Sequence, residues 1–110
     1  MAEPSLTRTG DGRWLLEGDL SFSSVPAMLK FSPRAMTAGR VIKVDLKGVS
    51  RADSAGLALL VEWLRESERA GKVIVFTNVP QQLQDIALLC GLDGILSFRK
   101  QGEKQSNDRQ

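Results

Sequence analysis

The chain has 110 residues, 42% of them hydrophobic and 25% charged, which is the make-up of one globular domain with a single core. It has no histidine and one cysteine, Cys90, which excludes a Ser-His-Asp triad, His-ligated zinc, thiolate metal clusters and an internal disulfide. No run of about 18 uninterrupted apolar residues exists to span a bilayer. The opening MAEPSLTRTG has no basic region followed by an apolar one, so a cytoplasmic location is expected. Arg99, Lys100, Lys104 and Arg109 against Glu103 and Asp108 put the formal net charge of +2 in the tail, leaving the rest balanced, which argues against nucleic acid as a partner. Asp45, Asp53, Glu62, Glu66 and Glu68 show no spacing of a paired acid and base, so a non-enzymatic, cofactor-free and metal-free role is expected.

In chain order, residues 1–5 are expected to be loose, residues 6–98 to form the domain, and residues 99–110 to be a polar tail. Leu6–Thr9 and Arg13–Glu17 read as short edge strands of a hairpin about Gly10-Asp11-Gly12, with Gly18 to Ser21 as a loop. Ser23 or Ser24 can cap a helix with Pro26 in its first turn. Ala27, Met28, Leu29, Phe31, Ala35 and Met36 supply its apolar side, while Pro33 should break or kink it. From Val41, Ile42, Val44 and Leu46 alternate with Lys43 and Asp45, the period of a strand with one face toward water. Gly48 to Ser54 reads as a turn that puts a hydroxyl at the mouth of a helix, and from Ser54 onward Leu57, Leu60, Val61 and Leu64 form one apolar helical stripe that Gly71 ends. Val73–Thr77 has no internal polar residue, the pattern of an interior strand covered on both faces. Pro80 opens a last helix with Leu83, Ile86, Ala87 and a buried Cys90 at helical spacing; Gly91 ends it and Ile95–Phe98 reads as a final strand. The expected order is β-β-α-β-α-β-α-β, an α/β domain with a mixed sheet and helices mainly on one face.

The strand-turn-helix junction carries the functional question. A phosphate cradle needs glycines that bring successive amides to the ligand, and this turn offers only Gly48 and Gly56, with no lysine after a glycine. Ser54 has two readings. It can cap the helix, accepting a hydrogen bond from an amide of the first turn, or it can be a phosphorylated switch that adds charge beside Asp53. Leu59 and Trp63 lie off the core stripe on the helical wheel. They suit either cover by a neighbouring helix, such as the one from Pro80, or an exposed hot spot beside Ser54 rimmed by Glu62, Glu66 and Arg69.

Asp45-Leu46 followed by Asp53-Ser54-Ala55-Gly56-Leu57, with Ala70-Gly71 and Cys90-Gly91-Leu92 as lesser support, resembles a STAS domain over roughly residues 5–98. STAS domains are the module of bacterial anti-sigma-factor antagonists and sulfate-transporter tails. Within them, the short first strands and the wording VSRADSAGLALL are most similar to the STAS subunit of the Mla (maintenance of lipid asymmetry) phospholipid ABC transporter. That resemblance implies a STAS-like fold and a cytoplasmic subunit, peripheral to the inner membrane, that binds the transporter's ATPase and supports its assembly or activity. The alternative it leaves open is an anti-sigma-factor antagonist whose partner is an anti-sigma kinase and whose phosphorylated residue is Ser54. The Mla subunit commonly has threonine at that position, and the serine here keeps the hydroxyl. On either reading Asp53, Ser54, Ala55, Gly56, Leu59 and Trp63 are the expected partner-binding residues.

Overall fold

The computed structural model describes residues 3–92 and the short strand at 98–99. β1 (Ser5–Gly10) and β2 (Arg13–Leu20) form an antiparallel hairpin, Gly12 taking the left-handed conformation of its turn at φ 71°. β3 (Val41–Ala52), β4 (Val73–Thr77) and β5 (Phe98–Arg99) then add in sequence order, each parallel to the strand before it. Because every parallel step moves across the sheet in the same direction, crossovers of one hand put all connecting segments on the same face. Ile42, Val44, Leu46, Ile74 and Phe76 point to that face and are buried.

The other face is less covered, which corrects one expectation. In β4, Ile74 and Phe76 are fully buried but Val73 is 42% exposed, and Val75 and Thr77 are half-buried. A continuous apolar run here marks a strand paired on both edges rather than one covered on both faces. Lys43 is exposed on the same open side, as its alternation with Ile42 and Val44 predicts.

The connection from β2 to β3 departs most from expectation. Instead of one kinked helix it holds a 3-10 turn (Val25–Ala27) and a single turn of helix, α1 (Pro33–Met36), capped by Ser32, whose hydroxyl accepts from the Arg34 amide. Pro33 sits in the first turn of α1, where its missing N–H costs nothing, so it starts a helix rather than kinking one. A segment with so few internal hydrogen bonds leaves carbonyls to be satisfied elsewhere. Trp14 Nε1 donates to Met36 O at 2.7 Å, Trp63 Nε1 to Phe31 O at 3.1 Å, and Lys72 Nζ to Gly39 O at 2.6 Å. Val25, Met28 and Met36 are buried beneath it.

α2 (Ser54–Arg69) and α3 (Gln81–Leu89) both end as their sequences predict. Gly71 has φ 73°, its amide bonds to Glu68 O, and the Lys72 amide reaches back to Ser67 O at 2.8 Å, a Schellman closure. Gly91 repeats it, with the Leu92 amide bonding to Ala87 O. Leu57 and Leu60 are buried and Val61 and Leu64 pack at the core's edge, but Cys90, expected in the core, is exposed at the C-cap of α3. Ser5, placed in the loose N-terminus, begins β1, and Arg99, placed in the tail, belongs to β5. Residues 95–97 of the expected last strand, and the tail from Lys100, lie outside the described residues.

Candidate partner-binding face

Both strands that lead to the site run further than their local composition suggests. Gly18 to Leu20 and Gly48 to Ala52 read as loop and turn, yet they pair with each other, Glu17 with Gly48, Gly18 with Val49, Asp19 with Arg51 and Leu20 with Ala52. Cross-strand pairing overrides the weak local preference. Gly48 makes room for its partner, since a Cβ there would lie 2.5 Å from Glu17 Cγ and force the Glu17 side chain to move. The register slips at two points, between Leu15 and Glu17 and between Gly18 and Asp19, and the pair continues past the end of β4. Where β4 no longer supplies a partner, Gln82 of α3 does, its Oε1 accepting from the Ala52 amide at 3.1 Å.

The chain then turns at once into α2. The Asp53 amide donates to Leu20 O at 3.1 Å, locking the junction to the end of β2. Asp53, in extended backbone at φ −120°, is the N-cap: its Oδ1 accepts from the Ala55 amide at 2.8 Å. The cap reading of Ser54 is thereby corrected. Ser54 is the first helical residue, exposed, and its hydroxyl makes no hydrogen bond among the described residues. The aspartate takes the cap because it stands where the backbone is still extended, one residue earlier.

Of the six residues expected at a partner surface, Asp53 and Ser54 are exposed and Ala55 is half-buried. Gly56 is buried, and a Cβ there would meet Leu20 Cβ at 3.1 Å, so its role is the close approach of α2 to β2. Leu59 and Trp63 are each 1% exposed. The expected hot spot is therefore not a surface. Their cover is not the helix from Pro80 but the irregular β2–β3 connection, on which Trp63 makes its hydrogen bond.

What that connection exposes is what sequence reading missed. Phe22, between serines in the loop after β2, is 87% exposed, and Leu29, after the 3-10 turn, is 50% exposed. Ala58, one helical turn beyond Ser54, is also exposed. Behind Phe22 the loop is ordered by hydroxyls: Ser24 Oγ donates to Asp19 O at 2.7 Å and accepts from the Ser21 amide at 2.8 Å. Asp19 itself is buried and accepts from Ser50 Oγ at 2.9 Å. The serine run flanking a lone phenylalanine was the available signal for Phe22. Leu29 had none, because helical spacing does not apply in a segment that is not a helix.

Residues 9–97 match the family described as Mlab, STAS domain. The chain belongs to that family. Solved structures agree on the fold. The anti-sigma factor antagonist SpoIIAA in its unphosphorylated form superposes with a TM-score of 0.65 at 19% identity, over 86% of each chain. A candidate anti-sigma factor antagonist from Thermotoga maritima gives 0.66 at 18% identity, over 90% of this chain and 86% of that one. A sulfate transporter family protein from Wolinella succinogenes gives 0.62 at 17%, over 86% and 80%. At these identities the likeness is one of fold. No curated protein matches the chain. Among the described residues no helix is long and apolar enough to cross a membrane.

Proposed function

We propose that this STAS domain is a non-catalytic, protein-binding subunit of a phospholipid ABC transporter of the Mla type. It binds the cytoplasmic ATPase subunit through the surface around Asp53 and Ser54, at the cytoplasmic side of the inner membrane, and supports the ATPase's assembly or activity in maintaining lipid asymmetry. The match of residues 9–97 to the Mlab family carries this reading. The surface supports it: the exposed start of α2 and the exposed Phe22 and Leu29 belong to segments tied together by the Asp53-to-Leu20 bond and the Trp63-to-Phe31 bond. Exposed large apolar residues set beside a polar rim are the usual composition of an interface. The test is co-purification and titration of the domain with the transporter's ATPase. Ser54→Glu should weaken binding by about tenfold or more, through added charge and bulk at the centre of the surface, while the melting temperature stays within a few degrees.

A second reading has its own observation. With Asp53 serving as the cap, the Ser54 hydroxyl is exposed and free for a kinase, as an anti-sigma-factor antagonist regulated at that residue would require. Phosphopeptide mass spectrometry of protein from its native cells separates the two: stoichiometric phosphate on Ser54 favours the antagonist, and unmodified Ser54 in a stable ATPase complex favours the transporter subunit.

A further inference from the structure

Between the β2–β3 connection and α2 lies a groove of about 460 Å³, floored by Leu59 and Trp63 and bordered by Leu29 and Ala58. Glu62 and Glu66 continue the α2 wall beyond Ala58. Ser54, Ala58, Glu62 and Glu66 follow one another at four-residue intervals, so the groove starts one turn from the proposed binding surface and runs along the same helix. We propose that it receives a basic amphipathic helix of the partner, with one apolar side chain seated between Leu29 and Ala58 and lysine or arginine one turn away facing Glu62 and Glu66. This rests on the reading of the chain as a partner-binding subunit and adds the chemistry of what it binds.

Charge selects the occupant. Two acids at i and i+4 repel each other on a helix, an effect that Arg65 and Arg69, each three residues beyond one of them, offset only in part. Glu62 meets only Arg69, at 4.0 Å, with Arg69 well exposed and Glu62 half-buried, and Glu66 has no ion pair among the described residues. On the opposite wall the cation nearest in sequence, Lys30, is drawn off to the ring of Phe31, 5.5 Å from its centroid. The groove thus offers an apolar lip, Leu29 and Ala58, over the buried Leu59 and Trp63, and an acidic edge. A partner with carboxylates there would meet repulsion, and a purely apolar one would leave Glu66 partly desolvated without a counter-charge. The small side chain of Ala58 lets a second helix approach α2 closely, which is the helix-in-groove mode of recognition.

The test titrates the domain against the ATPase subunit of the transporter at low and high salt. Wild type should bind, with affinity falling as salt rises. Ala58→Trp fills the groove and should weaken binding by about tenfold or more. Glu62→Gln with Glu66→Gln should weaken it by roughly threefold at low salt and flatten the salt dependence. Both sets of side chains border solvent, and thermal melts matching wild type would verify that the variants fold. Binding of Ala58→Trp within twofold of wild type overturns the groove. A loss for Ala58→Trp with an unchanged salt slope in the double variant overturns the basic partner. Failure of wild type itself to bind the ATPase overturns the subunit reading, and the inference with it.

Discussion

The connections β2-to-β3 and β3-to-β4 do the same topological job, joining parallel neighbours across the same face of the sheet, and they do it by opposite means. The second is α2, whose backbone satisfies itself and whose apolar stripe meets the sheet through Leu57 and Leu60. The first is held from outside: Trp14, Trp63 and Lys72 donate to its carbonyls, and Val25, Met28 and Met36 anchor it in the core. A self-sufficient helix advertises itself by periodicity. A segment stabilised by distant donors does not, and its partners are misread along with it.

Trp63 joins the two connections, so its removal is the most severe way to break the comparison. Trp63→Ala should cost about 3 to 5 kcal/mol of stability by chemical denaturation, at least as much as Leu60→Ala on the sheet side, expected at about 2 to 5 kcal/mol. If Trp63→Ala left stability unchanged and abolished only binding, Trp63 would belong to the surface and the β2–β3 connection would not cover it.

That distinction shows what was legible in the chain. The Ile42-Val44-Leu46 alternation, the Leu57-Leu60 stripe and the glycine stops at Gly71 and Gly91 are local signals, and the structure reproduces each. Leu59 and Trp63 were ambiguous because the wheel shows that a residue faces away from the sheet but not what lies there. The strand extensions through Leu20 and Ala52 were hidden because each is stabilised chiefly by the other, and neither has strand-like composition alone. On the proposed surface, Asp53 and Ser54 stand out in the sequence at the junction itself, whereas the exposure of Phe22 and Leu29 depends on a fold the sequence does not spell out.

A milder change sharpens the comparison by separating packing from hydrogen bonding. Trp63→Phe keeps most of the buried ring but removes the donor to Phe31 O, leaving a carbonyl of the irregular connection without that partner. The cost should be about 1 to 3 kcal/mol. Hydrogen exchange should then quicken first in the β2–β3 connection, with α2 still protected. Uniform loosening of both connections would show that they unfold as one unit and that the contrast between them is only geometric.

The smallest effects lie at the start of α2, where the self-sufficient connection still needs help, since the first amides of any helix lack intrahelical partners. Asp53 supplies one acceptor, at 2.8 Å from the Ala55 amide, and its charge also suits the positive end of the helix dipole. Asp53→Ala should therefore cost about 1 kcal/mol, and Asp53→Asn, which keeps an oxygen at the cap, should cost less. Ser54→Ala should change stability by no more than about 0.5 kcal/mol, because an exposed hydroxyl without a partner contributes little to the folded state. Adjacent substitutions thus part in their effects: Asp53→Ala destabilises measurably, and Ser54→Ala leaves the fold alone. The reverse order in thermal or denaturant melts would return the cap to Ser54 and remove the ground for treating its hydroxyl as available to a partner or a kinase.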